Sequence, residues 1–316
     1  MLYIPSVDDA TNRIVKAYIS GDYDMLQTLR DYLENNNVAA SISGSPAEFH
    51  NAAVGLARND FYDYAYAILE VGISRYPKDT DLLGDLLSYG LHCRSYEELE
   101  PWYNTLQGIN RRFWTWRAYQ FSFDYLMAKL PYADSVESEN SIEAAIERII
   151  SEFKSNFNFL HDKSDCEKAY MMEYEYYAGK GDESKAKDAL KTATEKLAKC
   201  AQCALKYADI HFERGDYKTT VEYAQKAIAV KEDQNSISVG YTYYILAMSL
   251  EQIARDNRAL NNQAGVEEIY SAYFAAYRYF DNEKRRDRLV ESIKSQVEIL
   301  EFDTGFSSRI NYSQFS

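Results

Sequence analysis

The chain has 316 residues, of which 46% are hydrophobic, and a formal net charge of −14 at pH 7. The hydrophobic share is enough for a packed interior and excludes a disordered chain, while the acidic balance disfavours binding to the phosphate backbone of nucleic acids. Only 13 glycines and 5 prolines occur, which disfavours turn-rich β folds and favours long helices joined by short turns.

The N-terminal segment shows no targeting signal. Residues 1–9 have neither a basic start nor an apolar core, as a secretory signal would. The longest apolar stretch, Tyr243–Leu250, is far shorter than the roughly 20 residues of a membrane span. The 4 cysteines of this long chain do not form the dense pattern of a disulfide scaffold. We therefore expect a cytoplasmic protein with reduced thiols and no membrane partner.

Helical spacing of apolar residues recurs along the chain in blocks of similar length. A Gly-Asp pair precedes an apolar helical pattern at Gly21, at Gly181 and at Gly215, and the last two lie about 34 residues apart. Tyr62 and Tyr96 begin two further apolar patterns at the same interval. One helix pair cannot bury its apolar face alone, so such blocks predict a stack of neighbouring pairs.

Residues 46–79 contain the clearest of these blocks. Phe49 and a small pair at 52–53 are followed by Tyr62, Ala65 and a closing Pro77. This pattern of large, small and aromatic residues around a turn resembles the tetratricopeptide repeat. The same spacing of large, small and aromatic positions fits the blocks 7–40, 46–79, 80–113, 167–200 and 201–234.

Two longer blocks, 114–160 and 235–282, are interpreted as stretched units of the same kind. In the first, we expect helices at about 114–129 and 141–154, joined by a loop. In the second, we expect a first helix that ends near 258 and a second helix at 266–280. A charged amphipathic helix over 283–302 would cap the stack.

The resemblance implies an all-α fold, a right-handed α-solenoid of about seven helix pairs with a C-terminal capping helix. The predicted organisation is an N-terminal part, 1–160, a C-terminal part, 161–302, and a flexible tail, 303–316. Small residues at the motif positions would let the helices approach closely, and most of the 29 tyrosines would fill the spaces beside them.

The resemblance also implies where a partner binds, because the first helices of such repeats line an inner, concave face. Carried onto this sequence, the partner-binding positions are Tyr125, Met171, Glu175, Leu205, Asp209, Phe212 and Tyr243. Their aromatic, apolar and acidic side chains suit a peptide with apolar anchors and a basic residue. They lack the cations with which co-chaperone members of the family clamp an acidic tail, so that mode is not expected. The alternative is that some of these side chains only pack against the next unit.

A second candidate contact edge is the basic and aromatic run from Arg111 to Arg117. Its tryptophans, Trp114 and Trp116, could anchor a protein partner. The alternative is the start of a helix whose tryptophans are buried while the arginines stay solvated. Stacking on nucleic-acid bases is disfavoured by the acidic balance of the chain.

The cysteines offer a possible metal site, which we weigh against simple packing. Cys200 and Cys203 form a C-x-x-C motif, and antiparallel helices would bring Cys166 to the same edge, with His161 nearby. Zinc accepts such ligands, but only one tight spacing is present and buried cysteines are common between helices. We therefore expect no metal and no cofactor. The basic run at 284–288 is interpreted as the solvated face of the last helix.

No catalytic motif is present. The sequence lacks a phosphate-binding loop, and none of its 4 histidines lies in a zinc-protease motif or beside a nucleophile elbow. We expect a non-catalytic adaptor that binds a protein or peptide. The main alternative is a peptide-responsive sensor, similar to bacterial pheromone receptors but without a DNA-binding domain. An enzyme or metalloprotein is a third possibility that rests on the C-x-x-C motif alone.

Overall fold

The computed structural model describes residues 3–35, 41–156, 166–197, 199–231, 235–282 and 288–306. Within these ranges the chain is all-α, with 15 α-helices, two short 3-10 helices and no β-strand. The predicted fold class is thus confirmed. The chain forms two compact units, Met1–Met172 and Glu173–Ser316, which we call the N-terminal and C-terminal units.

Helices α1 to α8 lie in the N-terminal unit, and α9 begins there and ends in the C-terminal unit. The first eight are α1 (Val7–Ser20), α2 (Tyr23–Glu34), α3 (Pro46–Ala57), α4 (Tyr62–Arg75), α5 (Thr80–Gly90), α6 (Tyr96–Gln107), α7 (Trp116–Lys129) and α8 (Val136–Ser155). The others are α9 (Cys166–Gly179), α10 (Glu183–Lys196), α11 (Ala201–Glu213), α12 (Tyr217–Ala229), α13 (Ser236–Asp256), α14 (Gln263–Asn282) and α15 (Arg288–Thr304).

The recurrent Gly-Asp pairs form the turns inside three helix pairs. Gly21, Gly181 and Gly215 adopt φ values of 69°, 75° and 74°, in the left-handed region that favours glycine. The aspartate that follows each glycine accepts a backbone amide hydrogen bond in the first turn of the next helix. Each Gly-Asp pair therefore ends one helix and begins its partner.

The helices pack in chain order. In the N-terminal unit, α1 contacts α2, α3 contacts α4, α5 contacts α6 and α7 contacts α8; in the C-terminal unit, α11 contacts α12 and α13 contacts α14. The first helices of successive pairs also touch, namely α1 with α3, α3 with α5, α5 with α7, and α11 with α13. The last helix described, α15, packs on α14 and is also joined to α13 by the ion pair of Arg255 with Asp303 at 2.7 Å.

Small residues at the repeat positions are buried between these helices. Ala53, Ala65, Ala186, Ala208 and Ala227 are each at most 2% exposed. A larger side chain at such a position would push neighbouring backbones apart, because protein interiors are close-packed. These alanines therefore mark the places where the repeat requires close helix contact.

The structure changes two of the predicted boundaries. The loop expected before residue 141 is shorter, because α8 already begins at Val136. Ser135 caps this helix, and its hydroxyl accepts a hydrogen bond of 3.1 Å from the backbone amide of Ser138. The capping helix extends to Thr304, two residues into the expected tail. Residues 283–287, with most of the basic run, and residues 307–316 of the tail lie outside the described ranges. Among the helices described, none combines the length and apolar character needed to cross a membrane.

Candidate functional site

The residues predicted to bind a partner fall in both units. The C-terminal unit contains five of them, Glu175, Leu205, Asp209, Phe212 and Tyr243, and the N-terminal unit contains Tyr125 and Met171. Tyr125 is 1% exposed and stacks on Tyr103, with ring centroids 4.8 Å apart. The prediction of Tyr125 as an accessible residue is therefore corrected, because its ring fills the core between α6 and α7. Met171 is half-buried on α9.

Helix α11 presents three of the predicted residues on one face. Leu205, Asp209 and Phe212 follow each other at helical spacing, so their side chains point to the same side. All three are partly exposed. The opposite side of α11 packs on its paired helix, where Tyr207 meets Tyr223 with ring centroids 4.4 Å apart. This partly exposed row thus combines apolar, acidic and aromatic groups.

The matching face of α13 carries Tyr241 rather than the predicted Tyr243. Tyr241 reaches back to α11 and donates its hydroxyl hydrogen to Oδ1 of Asp209 at 2.6 Å. Tyr243 instead stacks on Tyr279 of α14, with ring centroids 6.0 Å apart. Tyr243 is half-buried, like Tyr241, and its role in partner binding stays a prediction.

Asp209 is held by contacts from two directions. Besides Tyr241, the ammonium of Lys206 lies 3.5 Å from Oδ2 of Asp209. The same ammonium lies 5.8 Å from the ring centroid of Tyr174 on α9. Burial, together with the charge of Asp209, raises the pKa of Tyr241 above its ordinary value. The phenol therefore keeps its proton near neutral pH and stays a donor to the carboxylate.

These side chains form one partly exposed patch in the C-terminal unit, which we call the Asp209 surface. Its members are Tyr174, Leu205, Lys206, Asp209, Phe212, Tyr241 and Tyr244. Tyr244 belongs to it because its ring centroid lies 6.4 Å from that of Tyr241. Glu175 is exposed at the next position of α9. Sequence reasoning missed Tyr241 and Tyr244; their spacing of three residues along one helix was the available signal.

The predicted contact edge in the N-terminal unit is only partly accessible. Trp114 is 4% exposed, and the guanidinium carbon of Arg111 lies 3.8 Å from its ring centroid. Arg111 is in turn bound to Glu152 at 2.6 Å. Trp114 is therefore a core residue, which corrects its prediction as a contact. Trp116 is half-buried, and the ammonium of Lys168 lies 3.2 Å from its ring centroid.

A histidine joins three first helices of the N-terminal unit. His50 of α3 contacts the carboxylate of Asp85 on α5 through Nδ1, and Arg117 of α7 donates to Nε2 at 2.9 Å. Asp85 is 1% exposed, and burial raises its pKa although both neighbours oppose this. Because Arg117 occupies the nitrogen that a general base would use, the geometry indicates a structural role for His50.

Burial makes the thiol of Cys93 a weak nucleophile. Burial raises the pKa of Cys93 to about 11, so this thiol is protonated and a poor nucleophile near neutral pH. Cys200 and Cys203 are 5% and 0% exposed at the start of α11, with sulfur atoms within 4.8 Å of each other.

The sequence also suggested Cys166 and His161 as metal ligands beside Cys200 and Cys203, but neither belongs to the C-terminal unit. Cys166 is buried at the start of α9, in the N-terminal unit. His161 lies outside the described residues. That the cysteines act in packing, and that no metal is bound, both stay predictions.

Comparisons with known proteins identify no family for this chain. No family model matches the sequence, and no curated protein matches it. Among solved structures, a thermophilic TPR protein of Thermus thermophilus is similar, with 17% sequence identity and a TM-score of 0.43. The match covers 64% of this chain and 99% of the other. At this TM-score the likeness carries no argument, so the fold assignment rests on the order and packing of the helices.

Proposed function

We propose that the protein is a non-catalytic adaptor that binds a protein or peptide segment on the Asp209 surface. The observation that carries this proposal is an oriented carboxylate beside accessible aromatic and apolar groups. Tyr241 fixes Asp209 from one side, and Leu205 and Phe212 flank it on the same helix face. A segment with apolar anchors and a basic residue complements this arrangement.

The side chains of the surface suit binding energetically. Tyrosine and phenylalanine provide large contact areas with few rotatable bonds, so ordering them on binding costs little entropy. The hydroxyl of Tyr241 already holds the carboxylate in place, which reduces that cost further. Phe212 also packs against the hydrophobic core of the C-terminal unit, and this contact limits its motion before a partner arrives.

The chemistry of the described residues supports a role without a covalent step. The ring nitrogen of His50 that a general base would use accepts a hydrogen bond from Arg117. The thiol of Cys93 is held in its protonated form by burial. The proposed location is the cytoplasm, where thiols such as the free cysteines of this chain stay reduced.

A pull-down from native lysate, read by mass spectrometry, would identify the partner, and affinity measurements would then locate its site. We expect Phe212→Ala to weaken binding by about 1–3 kcal/mol, mainly through faster dissociation. Asp209→Asn should weaken it as well, and the effect should shrink at high salt. Recovery of a short peptide instead of a protein would favour the alternative, a peptide-responsive sensor.

The matched control is Phe113→Ala, which truncates an aromatic residue that is 64% exposed in the N-terminal unit. It should leave the affinity unchanged. Circular dichroism must show that Phe212→Ala is folded, because this ring also packs on the core. Normal affinity of both folded Asp209-surface variants would move the site elsewhere, with the exposed side of Trp116 as the next place to examine.

A further inference from the structure

We infer that Lys206 occupies, in the free protein, the place on Asp209 that a partner's arginine takes in the complex. This inference rests on the proposed function of the Asp209 surface and specifies the basic group that it recognises. In this inference Lys206 competes with the partner's arginine for Asp209 and is not itself a contact of the partner.

The two oxygens of Asp209 are bound very differently. Oδ1 accepts a short hydrogen bond of 2.6 Å from Tyr241, which fixes the orientation of the carboxylate. Oδ2 is approached by the ammonium of Lys206 at 3.5 Å, whereas charge-assisted hydrogen bonds typically measure about 2.7–2.9 Å. The second oxygen is therefore oriented toward a cation and loosely occupied by one.

Lys206 can leave this place at little cost. Its side chain is 39% exposed, against 17% for Asp209, so the ammonium is partly hydrated while the carboxylate is mostly enclosed. Ion pairs of this exposed kind contribute about 0–1 kcal/mol. The second contact of Lys206, 5.8 Å from the ring centroid of Tyr174, lies near the outer limit of a cation–π interaction at about 6 Å.

The enclosed carboxylate favours arginine over lysine as the incoming group. A guanidinium is less strongly hydrated than an ammonium, so it loses less on entering a site where Asp209 is largely shielded from water. Its flat face can also lie on a tyrosine ring while its edge donates to the carboxylate. The ring of Tyr174 is such a face, because it already lies 5.8 Å from the ammonium of Lys206, the cation that now approaches Asp209.

A competing role and a contact role make opposite predictions for the loss of Lys206. If Lys206 competes with the partner's cation, removing its charge frees Oδ2 and also removes a like-charge repulsion, so binding tightens. If Lys206 instead contacts an acidic group of the partner, its removal weakens binding. The sign of the change therefore separates the two roles.

The test compares Lys206→Gln with the wild-type protein and with Lys226→Gln. Lys226 is a matched control, because it is 43% exposed and pairs with Glu222 at 2.8 Å on α12, away from Asp209. The probes are acetyl-Phe-Arg-amide and its neutral analogue acetyl-Phe-citrulline-amide. Binding is followed by NMR of labelled tyrosine rings, with the Tyr241 signal assigned from a Tyr241→Phe variant.

We expect the arginine probe to bind Lys206→Gln about two- to five-fold more tightly than the wild-type protein. Lys226→Gln should bind like the wild type, and the citrulline probe should gain nothing. The gain should vanish in the double variant Lys206→Gln/Asp209→Asn. Unchanged, weaker or undetectable binding of the arginine probe to Lys206→Gln would overturn the inference, as would an equal gain in the Lys226→Gln control.

The dipeptide assay does not use the native partner, so it gives a result even if that partner binds elsewhere. Conversely, a partner whose affinity depends on Phe212 but not on Lys206 would support the proposed function and contradict this inference alone. Circular dichroism of the glutamine variants confirms folding, which glutamine should preserve because its side chain retains much of the aliphatic stem of lysine.

Discussion

Replacing Gly72 by alanine tests the close packing on which the helix pairs depend. Gly72 lies in α4, where an added Cβ would be 2.9 Å from Cγ and 3.1 Å from Cβ of Phe49 on α3. Phe49 is 0% exposed, and these two atoms lie next to its backbone, so the ring cannot rotate out of the way. The alanine methyl group should therefore force α3 and α4 apart.

The size of the effect follows from two opposing terms. Alanine is favoured over glycine inside a helix by about 1 kcal/mol, whereas overpacking a core typically costs about 1–3 kcal/mol. Gly55 separates the two terms, because it is helical and exposed and no heavy atom lies within 4 Å of its added Cβ. We expect Gly72→Ala to be less stable than Gly55→Ala by about 1–3 kcal/mol.

Urea denaturation followed by tryptophan fluorescence is a suitable assay for this pair. The 3 tryptophans, Trp102, Trp114 and Trp116, all lie in the same unit as the two glycines, so their fluorescence reports on that unit. The slopes of the transitions should agree, so that the midpoints reflect stability alone. A Gly72→Ala variant stabilised as much as Gly55→Ala would refute the close contact of α3 with α4.

Three further outcomes can be checked. Tyr273→Phe should lower the free energy of unfolding by about 1–3 kcal/mol, because its hydroxyl donates at 2.7 Å to the buried carboxylate of Glu251; an unchanged thermal midpoint would contradict this. The hydrogen bond from Thr219 lowers the pKa of Asp216, so its folded-state pKa lies below the unfolded value. Its stabilisation is present above about pH 4 and lost as the pH falls through the folded pKa, and Asp216→Asn should show a smaller loss in acid denaturation. Metal analysis of protein purified without chelator should return well under one zinc per chain; a full equivalent that disappears when both cysteines at the start of α11 become serine would show a metal site.

The helix pairs could be predicted because their signals are local in sequence. A glycine such as Gly215 takes its left-handed conformation, and the next aspartate its capping position, within one turn of the chain. Burial of a small residue such as Ala65 follows from its phase within the repeat. These features depend on residues only a few positions away, so a local sequence pattern is enough to predict them.

The accessible surface could not be predicted to the same degree, because it depends on packing between distant residues. Tyr241 and Tyr243 differ by two positions and have the same side chain, but one bonds to Asp209 and the other stacks on Tyr279. Gly240 permits that stacking, since a Cβ there would lie 3.0 Å from Cβ of Tyr279. Nothing in the repeat pattern states how closely α14 approaches α13, and this approach decides which tyrosine stacks on α14.

The contact of His50 with Asp85 and Arg117 has a consequence for how the sequence can diverge. Loss of His50 alone removes the hydrogen-bond partner of the enclosed Asp85 carboxylate, and breaking a buried charge arrangement in this way typically costs about 3–5 kcal/mol. Joint replacement of all three by apolar residues of similar volume can be nearly neutral. The three positions should therefore covary among relatives, and a substitution at one of them should be tolerated only in a background that already carries changes at the other two.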